Sequence, residues 1–466
     1  MSHLKFAVML LTAVALACAP AGTGPARPEA PAVADSGHAA HAPAMPADTQ
    51  HAGMQQHDML MVSTSGGWML IGMAQAFPSV TVAVPGEDGT PLDRRGLYVT
   101  QPAVMMNLES PGSRLVVRTT LNFEGLTQPG GELTFGGWGE GFLDKRHPHT
   151  LLHEFMFSGN LFARRGGGVS LSAGKGFASY GTDDPMSRPV LKYPTNHHLS
   201  QILERWTING TWASPLWSVE ASVFGGQEPT GPYDFKNIES FADSWSARIT
   251  RRFGKEVVGT WPWELSASFG DVRETHHGVA ERTRLFNAAV RHEMEHTFGM
   301  LYALAEASRS DPEQGDGFYS MLVESRIERG RHQPYARIEL ATRPEFERDA
   351  APNTSGFFRY DHDAEPIGAT RWLIASVGYG YRATMSRLSV RPFMEAQFNR
   401  ADPERGSISP EVLFGRSTFW TVSAGVRLFF GGEPMRMGTY GIIDPVTAMH
   451  RMMMSMQPSA DGEHRH

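Results

Sequence analysis

Methionine and histidine are unevenly spread along this chain. Thirteen of its 24 methionines and seven of its 19 histidines fall in residues 38–73 and 433–466. Thioether sulfur favours soft ions such as Cu(I), and imidazole accepts Cu(I), Cu(II) or Zn(II), so sparse Met and His segments suit capture and hand-off of copper or a related soft metal. The candidate ligands in the first stretch are His38, His41, Met45, His51, Met54, His57, Met59 and Met61. In the second they are Met449, His450, Met452, Met453, Met454 and Met456.

Three further constellations carry potential chemistry. Asp144-Lys145-Arg146-His147-Pro148-His149 is followed by His153-Glu154. In extended backbone an H-x-H pair puts both rings on one face, so His147 and His149 could share a metal. The competing reading is a structural network of arginine, histidine and carboxylates that includes Asp144, Arg146, His153 and Glu154. The long connection Asp183 to Leu203 holds Asp184-Pro185-Met186-Ser187-Arg188-Pro189 and Pro194-Thr195-Asn196-His197-His198. Its length and prolines mark an ordered functional loop or inserted constriction more than a bare turn. Adjacent histidines in a strand face opposite ways, so His197 and His198 could hold one ion only from a loop; otherwise they are hydrogen-bonding residues of a solvated loop. Finally, His292-Glu293-Met294-Glu295-His296 is a literal H-E-x-x-H, which on a helix places two zinc-binding rings on one face with the glutamate as general base. The flanking residues oppose a helix. Phe286, Ala288, Val290, His292 and Met294, and on through Phe298 and Met300, keep period 2, so the motif reads as a hairpin end. No Ser/His/Asp set, phosphate loop or dinucleotide fingerprint stands out, and no enzyme is expected.

The elements that must position these residues read as strands. No apolar run beyond the N-terminus reaches the ~18–20 residues of a membrane helix, so a helical membrane protein is excluded. The net charge of −7 is modest and the basic residues are dispersed, which argues against a nucleic-acid surface. Lys5, the apolar run Phe6 to Leu16 and the small residues Ala15-Leu16-Ala17 form a secretory signal, residues 1–17. Cys18, the only cysteine, follows directly as in a bacterial lipobox; ordinary cleavage leaving a free thiol is the alternative. Residues 18–62, rich in Ala, Pro, His and Met, cannot bury enough surface to fold alone and read as a tether.

Residues 63–432 are expected to form the barrel, and from about residue 97 onward they show period-2 segments of about 9 to 12 residues between Gly, Pro, Asp and Asn clusters, as transmembrane β-strands do. In Thr418 to Phe430, Trp420, Val422, Ala424, Val426, Leu428 and Phe430 oppose Thr421, Ser423, Gly425 and Arg427. Leu388 to Asn399, Arg114 to Phe123 and Trp263 to Phe269 alternate likewise. A soluble sandwich also alternates, but the number of segments, roughly 14 to 18, and aromatics near their ends favour a closed antiparallel β-barrel of about sixteen strands. An even strand number returns both termini to one side, the periplasm, where the two Met and His segments would meet. Polar-face charges such as Glu324, Arg326, Arg337 and Glu339 would form a ladder across the lumen. The stretch 433–466 is expected to be a flexible extension, free either to fold back into the barrel or to bind a periplasmic partner.

Four ordered elements resemble a group of largely uncharacterised bacterial outer-membrane β-barrels that accompany copper and heavy-metal resistance functions. Leu143 to His149 is similar to that family's D-R-x-H-P-H element, and Met186-Ser187-Arg188-Pro189 with His197-His198 to its M-x-R-P and H-H loop. Phe224 to Pro229, including Glu228, and Asp243 to Arg248 look like its F-x-G-x-E-P and D-S-x-S-x-R strands. A weaker similarity covers Leu322 to Ser325 and Ala336 to Glu339. The resemblance implies the barrel fold and an outer-membrane location, and Arg188, His197, His198, Glu228, Asp243 and Arg248 are expected in the lumen network. The sequence thus leads to an outer-membrane barrel handling copper or a related soft metal at the periplasmic face. Its partners would be outer-membrane lipid and periplasmic metal-handling proteins. A generic porin-like or structural barrel is the alternative, and a zinc metalloprotease the third reading.

Overall fold

The computed structural model describes residues 60–449, apart from 85–94, 128–149, 165–166, 191–198, 230–232, 235–237, 239, 256–260, 277–278, 347–365, 407–408 and 433–435. Sixteen long strands follow one another. They are β1 (Met69–Val84), β2 (Arg95–Glu109), β3 (Leu115–Asn122), β4 (Leu152–Arg164), β5 (Gly167–Gly176), β6 (Arg205–Ala213), β7 (Trp217–Phe224) and β8 (Ser244–Phe253). Then come β9 (Trp263–His276), β10 (Val279–His296), β11 (Gly299–Pro312), β12 (Phe318–Glu328), β13 (His332–Phe346), β14 (Pro366–Tyr381), β15 (Leu388–Gly406) and β16 (Thr418–Phe430).

Each strand pairs antiparallel with the next, and β16 pairs with β1 from Trp420↔Val84 to Phe430↔Ala74. The sheet is therefore a closed sixteen-stranded barrel. Two short strands add no staves. Leu60–Ser63 prolongs the β16 side of β1, with Leu60 opposite Gly72, and Ala383–Met385 resumes β14 against the start of β15. The strand Leu60–Ser63 takes in residues 60–62, the last three of the expected tether.

Alternation decides which side chain goes where. Val80, Leu115, Leu171, Ile249, Leu265, Ile338, Val377 and Trp420 are exposed on the outside, strand after strand. Residues of the other parity, such as Thr81, Arg118, Ser172, Arg248, Arg337, Ser376 and Thr421, are buried inside. An apolar belt around a closed sheet with a polar interior is the arrangement lipid selects, because all backbone polar groups are satisfied between strands. No helix among the described residues is long and apolar enough to cross a membrane.

The two ends of the barrel differ. Connections at residues 110–114, 165–166, 214–216, 297–298 and 329–331 are short, and the chain enters β1 and leaves β16 at that same end. The opposite end carries the long connections 123–151, 177–204, 225–243 and 347–365.

Placing a charge on the outward face tests the lipid reading. Val422→Arg should cost about 2–4 kcal/mol near the bilayer midplane, read by urea unfolding in lipid vesicles. A cost near zero would mean that this face meets water.

Candidate functional site

Two segments cross the lumen. The first, residues 177–190 with 199–204, enters from the long-loop end, and Phe177, Ala178, Tyr180, Met186, Val190, Ile202 and Leu203 in it are all buried. Asp184 caps its short helical turn Pro185–Ser187 by accepting from the Met186 amide at 2.7 Å. Arg188 then reaches the far wall, 3.3 Å from Glu306 and 3.9 Å from Glu324. Glu324 also accepts from Tyr302 at 2.6 Å and from the Arg337 Nε at 2.8 Å, and Arg337 lies 3.4 Å from Glu339. A buried charge left alone would cost several kcal/mol, so this chain of alternating signs lets the wall and the loop bury charge together.

The second segment is residues 436–449, which the sequence left as an extension free to fold back or project. It folds back. Arg436 pairs with Asp183 at 2.7 Å and with Glu264 of β9. The Gly438 carbonyl accepts from Arg248 Nη2 at 2.8 Å. The Tyr440 hydroxyl donates to Glu154 at 2.9 Å and accepts from the Phe177 amide at 2.9 Å. Asp444 accepts from Arg118 at 3.0 Å, and the Thr447 hydroxyl donates to Glu109 at 3.0 Å. The segment is therefore tied to β2, β3, β4, β8 and β9 and to the inner loop. Its bed on β5 is glycine-rich for a steric reason: a Cβ at Gly176 would run into the Tyr440 hydroxyl, and one at Gly168 into Ile442. Burial pushes the Asp444 carboxyl above its ordinary range, against the pull of Arg118. Burial beside the Glu154 carboxylate pushes the Tyr440 phenol well above its own, so it stays protonated as a donor.

Methionines gather where this segment meets the wall. Met73, Met105, Met156, Met186 and Met437 are buried in one cluster with Ile71, Phe177, Leu203, Tyr440 and Val446, and Met61, Met69 and Met449 pack against its edge. Met61 and Met449 were candidates from the sequence. Met69, Met73 and Met437 stood within the Met-rich stretches but were not singled out, Met186 was named only as part of the loop motif, and Met105 and Met156 were missed. The available signal was parity, since Met105 and Met156 occupy the polar, inward register of their strands.

The other candidates are placed as follows. His153 and Glu154, neighbours in sequence, both turn inward because the register shifts there: Thr120 pairs with Glu154 and Leu121 with Leu152, leaving His153 as a bulge. His153 lies 2.6 Å from Glu204 and 3.9 Å from Asp184, while Glu154 holds Arg118 at 3.3 Å. Arg248 makes a two-pronged pair with Glu220 at 2.9 and 2.6 Å. Glu228 pairs with Arg205 at 2.8 Å. Asp243 instead caps the β7–β8 connection, accepting from the Gly226 amide at 2.9 Å and from Ser244. Arg326 faces inward opposite Tyr335. Asp144, Arg146, His147, His149, His197, His198, Cys18, residues His38 to Met59 and His450 to Met456 lie outside the described residues. Among the described residues no group of three or more His, Cys, Asp or Glu is placed to hold a metal ion.

The H-E-x-x-H sequence is strand, not helix. It ends β10, with its glutamate on the face opposite the histidines. Glu293 turns inward to Arg291 at 2.6 Å, whereas His292 and His296 lie outward with their Nε2 atoms 2.9 Å apart. They continue a row of rings: Phe253 stacks on Trp263, Trp263 meets His292 at a tilt at 4.3 Å, and His296 stacks on Phe298 at 5.1 Å. That is an interfacial aromatic girdle at the short-turn end. A general base on the opposite face from both imidazoles cannot serve a zinc between them.

No family model matches the chain, and no curated protein matches it in sequence. Solved structures similar to it include OmpT, an outer-membrane protein of Vibrio cholerae, at 9% identity, covering 79% of this chain and 99% of that one, with a TM-score of 0.45. An anion-selective porin from Comamonas acidovorans matches at 10% identity over 78% of this chain and 99% of its own, TM-score 0.45. Salmonella typhi OmpF, in complex with daunomycin, matches at 10% identity over 80% and 100%, TM-score 0.46.

Truncating the centre of the latch should free the C-terminal segment without opening the sheet. Asp444→Ala leaves buried Arg118 with Glu154 alone and should weaken docking by roughly 3 kcal/mol. Trypsin should then cut after Arg436 in the folded barrel, where the native chain resists.

Proposed function

We propose that this chain is a porin-like barrel of a bacterial outer membrane whose passage is held shut by its own C-terminal segment. The observation that carries this reading is the course of residues 436–449 across the lumen, with polar ties on both sides. Short turns mark the periplasmic end of such barrels, so both termini are assigned to the periplasm, in keeping with the secretory signal. The inward loop and its Arg188–Glu306–Glu324 chain would then narrow the passage that remains.

A second reading, soft-metal handling at the periplasmic face, is supported by the meeting of Met61 and Met449 in one methionine cluster. Copper would be cargo here, received by the terminal Met and His segments from periplasmic metal-handling proteins. Lipidation at Cys18 and membership of the metal-resistance barrel group belong to the same reading. Neither reading gives the chain a catalytic role.

Conductance in planar bilayers tests the first reading. Removing residues 433–466 should convert a nearly closed barrel into one with frequent, larger openings. Equal and open conductance of both forms would show that the segment is no plug; equal silence would leave a structural barrel.

A further inference from the structure

We infer that the methionine cluster inside the lumen is itself a binding site for a soft monovalent cation of the Cu(I) or Ag(I) class, formed jointly by the wall, the inner loop and the C-terminal segment. This rests on the soft-metal reading but moves the site from the terminal tails into the barrel. Eight of the methionines converge there from six separate pieces of chain. Several others point away: Met106 and Met394 are exposed on the outward face. The buried apolar clusters around Ile202, Phe77 and Leu304 contain no methionine, so the patch under the C-terminal segment could likewise have been filled by leucine, isoleucine or valine. Repeated use of thioether has a chemical consequence that aliphatic packing lacks, since several neutral sulfur atoms in a water-poor space suit a soft, weakly hydrated cation and offer little to Zn(II) or Ca(II). The bland account, methionine as adaptable filler of an irregular seam, predicts no such preference.

The layout also provides a route. Met61, Met69 and Met449 sit partly exposed at the cluster's edge, and Met73, Met105 and Met156 lie buried behind them. Met437 and Met449 belong to the C-terminal segment, so a bound cation would bridge that segment to the wall. Binding would then favour the docked state in proportion to its affinity difference for docked and released forms.

Silver(I), which is redox-inert, is the probe. It is titrated by competition into the detergent-solubilised full chain, into a form lacking residues 38–59 and 450–466, and into M73L/M105L/M156L/M186L, a near-isosteric change that keeps apolar volume. The inference expects the shortened form to keep a tight site, and the leucine variant to lose affinity by about tenfold or more. Silver should also slow trypsin cleavage after Arg436 in the full chain but not in the leucine variant. If the full chain binds silver and the shortened form does not, the lumen site is wrong while the terminal-segment reading stands. If the full chain binds none, both are wrong. Undiminished binding by the leucine variant would reduce the cluster to packing. Gel mobility without boiling reports whether that variant folds, and M437L/M449L, altering only the C-terminal segment, carries the same comparison should it not.

Discussion

The hydrogen bonds between β16 and β1 leave this sheet without an edge, and in a hydrocarbon surrounding an unsatisfied edge is not tolerated. Once the last strand must meet the first, alternation along every strand is forced to mean outside or inside. An even number of strands brings both chain ends to the same rim, and the chain beyond Phe430 emerges beside the mouth of the lumen. The position of the C-terminal segment follows from that closure: it is already at the opening it fills.

What fills the lumen follows a second pattern, in which charges enter the interior in matched sets, while Arg427 is held instead by the Arg188 carbonyl and the rings of Phe77, Tyr335 and Phe393. Arg118 is matched by Glu154 and Asp444, Arg188 by Glu306 and Glu324, and Arg436 by Asp183 and Glu264. In each set at least one partner lies on a crossing segment and another on the wall. The segments are therefore specified by electrostatics and hydrogen bonding as much as by shape, and each also has an apolar seat: the methionine cluster for the C-terminal segment, and Phe224, Val272 and Leu285 for Ala178, Tyr180 and Ile202 of the inner loop.

Sequence reading reached the strands and their faces because period 2 is a local property. Trp420 to Phe430, Leu388 to Asn399 and Leu115 to Phe123 show outside and inside without any knowledge of neighbours, and the Glu324–Arg337 pair could be anticipated from adjacent strands of matching polarity. The course of residues 436–449 was not legible, since that stretch has no periodicity and its partners Glu109, Arg118 and Glu154 lie hundreds of residues away. Nor could alternation reveal His153 and Glu154 turning to the same side, because a bulge breaks the very rule used to read faces. Composition found methionine at the two ends of the chain; only closure of the barrel showed that Met105, Met156 and Met186 join them. The H-E-x-x-H sequence shows the converse, a chemical pattern whose meaning depends wholly on helical spacing, which a strand does not supply.

The order of assembly is written into the latch. Arg118 and Asp444 are 326 residues apart, and Thr447 meets Glu109 across 338. Because the segment follows β16, it is made after every strand and has no complete cavity to enter until β16 has joined β1. The barrel therefore closes around a lumen that the C-terminal segment has not yet filled, and these contacts, last to form, are also the ones that can be undone while every strand pair stays in place. The filled lumen is thus a later state of the fold than the closed sheet.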